Sequence, residues 1–364
     1  MYKNICIVTP SFYGGGAEKI AVNLANYYTD IGRNVSIVAF KAKGPYLAQV
    51  STKVKIIDLN SKTRYVFFKL LSVLRREKSD LVISVIRDSN IFVGLSSYFI
   101  KAKIIFREAN TMDNIINASI FKKLLYLFLM RRAYKKAHAI IANSNDTKKD
   151  LLKNKITTDL KIKVIGNPVL PSNFSNLKEE KINHIWLGNK KYKTILNVGR
   201  LHRQKNQQLL IDAFNLVYSK IPNSRLVILG EGKEKEALIA DIKSKGLDEV
   251  VDIIPFQNNP YPYYQAANLF VMSSDWEGFG NVIVEAMASS TPVISTDCPG
   301  GPKMILNNGE FGTLVEPKNV RQLASSIISE FSVETDSDSI NKAKLRAMEY
   351  SLNRVAEKYL AVLF

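Results

Sequence analysis

The chain has 364 residues, 46% hydrophobic and 23% charged, which is a globular composition and long enough that two domains are expected rather than one. Two cysteines, Cys6 and Cys298, far apart in sequence, make neither a disulfide framework nor a metal cluster and point to a reducing compartment. The net charge is +18 and lopsided: residues 1–180 hold 30 of the 51 Lys and Arg but only 13 of the 33 Asp and Glu. Such a field attracts anionic surfaces or polymers, and charge alone does not choose between membrane phospholipid and nucleic acid. The apolar run at 5–8 is too short for a signal peptide, and the longest, 124–130, falls well short of the roughly 20 residues that cross a bilayer. A cytoplasmic chain with no spanning helix is expected.

In chain order, short apolar strands alternate with helical stretches, the pattern of parallel sheets with crossover helices. The first half offers strands at 5–9, 35–40, 54–59, 81–85, 103–106, 139–142 and 162–165, with helices such as 17–31 and 121–136 between them. Asn167-Pro168 ends this half. The polar, irregular stretch 171–191 reads as a linker between a first domain, 1–170, and a second, 192–349. The alternation restarts with strands at 194–198, 225–229, 250–254, 269–273, 293–296 and 312–315. Leu209, Leu210, Ala213, Phe214 and Val217 share one helical face. Helices at 320–331, 340–350 and 352–363 close the chain, so 350–364 is a terminal helix.

Three segments carry chemistry. Gly14-Gly15-Gly16-Ala17-Glu18 lies between the first strand and the first helix. Glycines let backbone approach an anion, and the helix start offers free amides, although a plain tight turn has the same composition. The segment is not a dinucleotide fingerprint, because Lys19 occupies the last glycine's place. Arg200 and Lys205, in Gly199-Arg200-Leu201-His202-Arg203-Gln204-Lys205-Asn206, lie just past a strand end, where ligands bind in open α/β sheets. A guanidinium fork and a compact ammonium suit a diphosphate, and a solvated basic loop is the competing reading.

The third segment, Ser273 to Ala286, is the most informative. Glu277 is expected on a loop and Glu285 in the second turn of a helix. Eight helical positions rotate by about 80°, so both could face one site. Carboxylates accept paired hydrogen bonds from vicinal hydroxyls, while Gly280, Asn281 and Val282 would offer helix-start amides to a phosphate.

Taken in order, these segments resemble family 4 of the retaining glycosyltransferases (glycosyl transferases group 1). The resemblance runs through nearly the whole chain. It rests on Gly15-Gly16-Ala17-Glu18, Gly166-Asn167-Pro168, Val198 to Leu201 with Lys205-Asn206, and Leu229-Gly230-Glu231-Gly232. Glu277 and Glu285 with seven residues between them, Pro292 to Thr296, and Gly300-Gly301 complete it. It implies an α/β chain of the GT-B fold: two Rossmann-like βαβ domains facing across a cleft, the first for the acceptor and the second for a nucleotide sugar, with the C-terminal helix crossing back to the first.

Arg200 and Lys205 resemble the pair that grips the donor diphosphate, Glu277 the group on the sugar hydroxyls, and Glu285 the ribose holder. Phe279, Gly280, Asn281 and Val282 resemble the turn whose amides meet phosphate and sugar. Phe256 and Gln257 resemble the segment beside the base, and Gly15 and Gly16 the loop that closes over the donor. Glu108 stands where many relatives have a Glu-His pair, but Ala109 occupies the histidine's place, and His138, His184 and His202 do not fit that role. A histidine-assisted mechanism is therefore not expected, and Glu108 is left as the acceptor-side catalytic candidate.

The implied activity is retaining transfer of a hexosyl or N-acetylhexosaminyl group. The donor is a nucleoside diphosphate sugar, UDP in the commonest case and GDP otherwise, with no metal and no cofactor. The acceptor is a glycan hydroxyl, lipid-linked in many such enzymes, in surface polysaccharide synthesis such as O-antigen, lipopolysaccharide or capsule. Basic-apolar helical stretches at 64–78 and 121–136 suit an anionic membrane surface, which would place the protein peripherally on the inner face of the cell membrane. Asp336-Ser337-Asp338 matches a metal-binding pattern of another glycosyltransferase fold, but its Ser/Asp-rich setting reads as a solvated loop. Two other readings stand beside this one. A sugar-nucleotide epimerase is possible on the same fold. A nucleic-acid-binding protein would fit the charge, but no zinc pattern or RNA-binding aromatic motif supports it, so no nucleic-acid partner is expected.

Overall fold

The computed structural model describes residues 2–13, 16–61, 63–109, 120–333 and 336–364. The chain forms two compact units, Met1–Pro168 with Leu352–Phe364, and Val169–Ser351.

In the first unit, seven strands make one parallel sheet: β1 (Asn4–Thr9), β2 (Asn34–Ala39), β3 (Lys55–Asp58), β4 (Leu81–Ser84), β5 (Lys103–Glu108), β6 (Ala139–Ala142) and β7 (Ile162–Val164). Their order is β3-β2-β1-β4-β5-β6-β7, so the winding reverses between β1 and β4. Ile7 pairs with Ile37 on one side and Ile83 on the other. These central strands are apolar on both faces because helices cover both, the usual condition of a parallel sheet. The helices are α1 (Gly16–Asp30), α2 (Thr63–Glu77), α3 (Arg87–Ser96), α4 (Ile120–Tyr134) and α5 (Asn145–Lys153). On α1, Ile20, Leu24 and Tyr28 recur every fourth residue and are buried against the sheet.

The second unit begins with a short helix, α6 (Phe174–Leu177), and repeats the winding in six parallel strands. These are β8 (Lys193–Val198), β9 (Ser224–Leu229), β10 (Val251–Ile254), β11 (Leu269–Met272), β12 (Val293–Thr296) and β13 (Thr313–Val315), in the order β10-β9-β8-β11-β12-β13. The reversal falls between β8 and β11. Its helices are α7 (Gln207–Lys220), α8 (Lys235–Ser244), α9 (Tyr261–Ala266), α10 (Asn281–Ala288), α11 (Pro302–Ile305), α12 (Val320–Ser332) and α13 (Ser337–Met348). The last helix, α14 (Leu352–Ala361), belongs to the first unit, where Leu352, Val355, Ala356 and Tyr359 join the core beneath α1. The Tyr28 hydroxyl donates to the Ala356 carbonyl at 2.9 Å.

The stretch read as a linker, 171–191, lies within the second unit. Phe174, Trp186 and Leu187 are buried in its core with Tyr261, Tyr264 and Phe270. A few apolar anchors in a polar segment are enough to fold it down. Asp336 does not sit in a loose loop: it caps α13, accepting from the amides of Asp338 and Ser339 at 3.1 Å. Among the described residues, no helix is long and apolar enough to cross a membrane.

Candidate functional site

The reversal between β8 and β11 opens a crevice at their C-terminal ends, where open α/β sheets bind ligands. Two loops leave the sheet there. The first carries Arg200 and Lys205, the second Ser273 to Gly280. Hydrogen bonds stitch them together. Ser273 Oγ donates to the Lys205 carbonyl at 3.0 Å, Asn206 Nδ2 to Asp275 Oδ1 at 2.9 Å, and Gln204 Nε2 to the Trp276 carbonyl at 2.8 Å. Asn206 also caps α7 through the Leu209 amide.

At the centre, Lys205 Nζ lies 2.6 Å from Glu277 Oε1, and Ser274 Oγ donates to the same oxygen at 2.6 Å. The Lys205 and Glu277 side chains are 17% and 7% exposed, so the pair is shielded from water. Arg200 differs. It is exposed, and its guanidinium has no partner among the described residues, while its carbonyl accepts from Gln207. The two cations expected to act together are therefore in different states, one locked to a carboxylate and one open to a ligand.

Glu277 is on the loop. Gly280, at φ 94°, caps α10, which starts only at Asn281. The residues between Glu277 and Gly280 are not helical, so the helical-rotation argument does not place the two glutamates together. A Cβ on Gly300 would meet the Glu277 carbonyl at 2.1 Å, so backbone packing fixes the height of Glu277. Asn281 and Val282 begin the helix, half-buried. Phe279 turns inward, 3% exposed, its ring 5.3 Å from that of Tyr350, so only its backbone can meet a ligand.

Glu285 sits one turn further along α10, its Oε2 accepting from the Tyr264 hydroxyl at 3.0 Å. Burial, and then the Glu285 carboxylate, push the Tyr264 phenol well above its usual range, so it stays a donor. Tyr264 carried no signal in the sequence: it is one tyrosine among 16, and only the packing of α9 on α10 reveals it. Phe256 and Gln257 follow β10, two strands from β8. Phe256 is 63% exposed, and Gln257 donates to the Pro255 carbonyl. Cys298 lies close by, its thiol pushed up to about 12 by burial and then by Glu277.

In the first unit, Gly16 opens α1, and a Cβ there would meet nothing within 4 Å; Gly15 lies outside the described residues. Glu108, at the end of β5, is 1% exposed. Arg87 Nη2 reaches its Oε2 at 2.9 Å, Asn90 Nδ2 donates to its Oε1 at 2.9 Å, and the Tyr134 hydroxyl donates to Oε1 as well. Glu108 is thus a buried anchor holding Arg87, not an open acid or base.

The family described as glycosyl transferases group 1 matches residues 178–346, and that described as glycosyltransferase family 4 matches residues 14–172. The chain belongs to glycosyltransferase family 4. It is 33% identical over 268 residues to the Campylobacter jejuni N-acetylgalactosamine-N,N'-diacetylbacillosaminyl-diphospho-undecaprenol 4-alpha-N-acetylgalactosaminyltransferase, covering 72% of this chain and 70% of that one. It is 27% identical to the amylovoran biosynthesis glycosyltransferase AmsD of Erwinia amylovora, covering 85% of each. Among solved structures, Anabaena HepE in complex with UDP superposes with a TM-score of 0.81 at 19% identity over 99% of both chains. That likeness establishes the GT-B fold. This family 4 member is a glycosyltransferase, and its relatives serve bacterial polysaccharide and lipid-linked glycan synthesis.

Proposed function

We propose that this chain transfers a sugar, with retention of anomeric configuration, from a UDP-sugar to a hydroxyl of a lipid-linked glycan. The observation that carries the reading is the shielded Lys205–Glu277 pair at the β8–β11 reversal, with the start of α10 beside it. Breaking the anomeric C–O bond puts negative charge on the departing diphosphate. In this reading Arg200, Lys205 and the α10 amides receive that charge and no metal or cofactor takes part, a contribution of several kcal/mol in such sites. Glu277 takes the sugar hydroxyls and Glu285, held by Tyr264, takes the ribose; Phe256 and Gln257 flank the base.

Three observations support the finer points. HepE was crystallised with UDP and with UDP-glucose, which favours uridine. The Campylobacter relative is named for a diphospho-undecaprenol substrate, which favours a lipid-linked acceptor. The excess of cations in residues 1–180 favours a peripheral seat on the anionic inner face of the membrane. The test is a thermal-shift panel of UDP, GDP and ADP, followed by NMR of the product anomer. UDP at 100 times its dissociation constant should add about 2.7 kcal/mol. A shift with GDP alone, or an inverted product, would overturn the reading.

A further inference from the structure

On the first unit, at the opposite end of its sheet from the ligand-binding strand ends, a cavity of about 540 Å³ is lined by Lys101, Lys135, Lys136, Lys161 and His138. Lys101 precedes β5, His138 precedes β6 and Lys161 precedes β7, so the chain delivers an ammonium or imidazole N–H donor to the N-terminal edge of each of three adjacent strands. The tail of α4 adds the other two. Glu108 is the last of the six residues of β5, which puts it about 17 Å of extended chain from this edge.

Among the described residues the cluster has no counter-charge. None of these five side chains lies within 4 Å of a carboxylate, whereas Lys55, Lys148 and Lys205 each pair with one. Like charges gathered in one cavity repel, and their cost falls when an anion enters. The donors are also held in place. Lys161 Nζ donates to the carbonyls of Lys135 and Ala137 at 2.8 and 2.9 Å, which uses two of its three protons. His138 Nδ1 accepts from the Ile104 amide at 3.1 Å, which leaves Nε2 as the N–H donor of the neutral ring. Burial, and then Lys103, Lys161 and Lys136, hold the His138 pKa below its usual value.

The rim points to the source of the anion. Tyr98 and Phe99, between the lining residues Ser97 and Ile100, are 43% and 54% exposed. Lys136 lies 4.7 Å from the centre of the Tyr98 ring. Phe128 on α4 is exposed as well, with Arg132 over its ring. Aromatic rings beside ammonium groups are the side chains that settle at a membrane–water interface.

We propose that this cavity is a phosphate-binding site, the seat of an anionic lipid headgroup. It deepens the membrane contact proposed above and is independent of the donor site.

The test uses the full chain, labelled with nitrogen-15 at its three histidines, and a Lys101→Ala/Lys135→Ala/Lys136→Ala variant whose melting temperature is checked first. Co-sedimentation with phosphatidylglycerol vesicles should fall about a hundredfold in the variant, at about fivefold per lysine near the surface. The His138 ring signals should move, and its titration midpoint rise, when wild type meets a short-chain phosphatidic acid. If inorganic phosphate at equal concentration moves them as far, the site stands and its ligand is a free phosphate. If wild type moves its His138 signals but ignores the vesicles, the membrane reading fails and the site survives. If His138 responds to neither phosphate compound, or the triple variant binds vesicles as wild type does, the site proposal is overturned. A Lys161→Gln variant serves as a second probe should the triple variant not fold.

Discussion

Two cations close in sequence behave differently because of what each touches. Arg200 is exposed and its guanidinium is unpaired among the described residues, so Arg200→Ala should leave the melting temperature unchanged while kcat falls about a hundredfold, the usual effect of removing a donor aimed at developing charge. Lys205→Ala should cost both. It leaves the Glu277 carboxylate, 7% exposed, with Ser274 as its remaining side-chain donor among the described residues, so steady-state kinetics and a melt of the same variant should fall together. Tyr264→Phe removes the hydroxyl from Glu285 and should raise KM for the donor several-fold, with about 1–2 kcal/mol lost in urea melts. Glu108→Ala should behave as a folding mutant. It leaves Arg87, with a side chain 14% exposed, without its carboxylate, at a cost of about 3 kcal/mol. A Glu108→Ala protein with wild-type stability but no activity would return Glu108 to the chemistry.

At the scale of elements, the proposed donor site is set by where two loops cross the sheet end, and glycine permits the crossing. Gly300 has φ 127°, and its missing Cβ leaves room for the Glu277 carbonyl. Gly300→Ala should push the Glu277 loop off the sheet end, so donor affinity should be lost before the fold; calorimetry with UDP beside a melt would show the order. The strands, the loop position of Glu277 and the basic loop after β8 were legible in the sequence, because each depends on local pattern: β-branched runs, glycines and the strand-turn-helix rhythm. What was not legible depends on contacts between distant segments. The Lys205–Glu277 pair joins residues 72 apart, and Tyr264 reaches Glu285 only because α9 packs on α10. Nor did composition show that Phe174 and Trp186 would bury a stretch that reads as a linker, or that Glu108 would be closed off by Arg87, Asn90 and Tyr134.

Across the whole molecule, buried groups that resist ionisation set an alkaline limit on stability. Burial pushes the thiols of Cys6 and Cys298 up to about 12, and pushes Tyr28, Tyr134 and Tyr264 well above the ordinary phenol value. In the unfolded chain the thiols lose protons near pH 9 and the phenols near pH 10, while in the folded chain they keep them. The unfolded state then binds fewer protons than the native state, so stability is fully present below pH 9 and falls as pH rises. Each cysteine should contribute about 1 kcal/mol of loss by pH 10, and the tyrosines should steepen the fall beyond it. Urea melts at pH 8, 9 and 10 should show this decline. A Cys6→Ala/Cys298→Ala variant should show a shallower slope between pH 9 and 10, because only the tyrosines are left to titrate. An equal slope in the variant would mean that the thiols do not sense the core, and would move the alkaline limit onto the phenols alone.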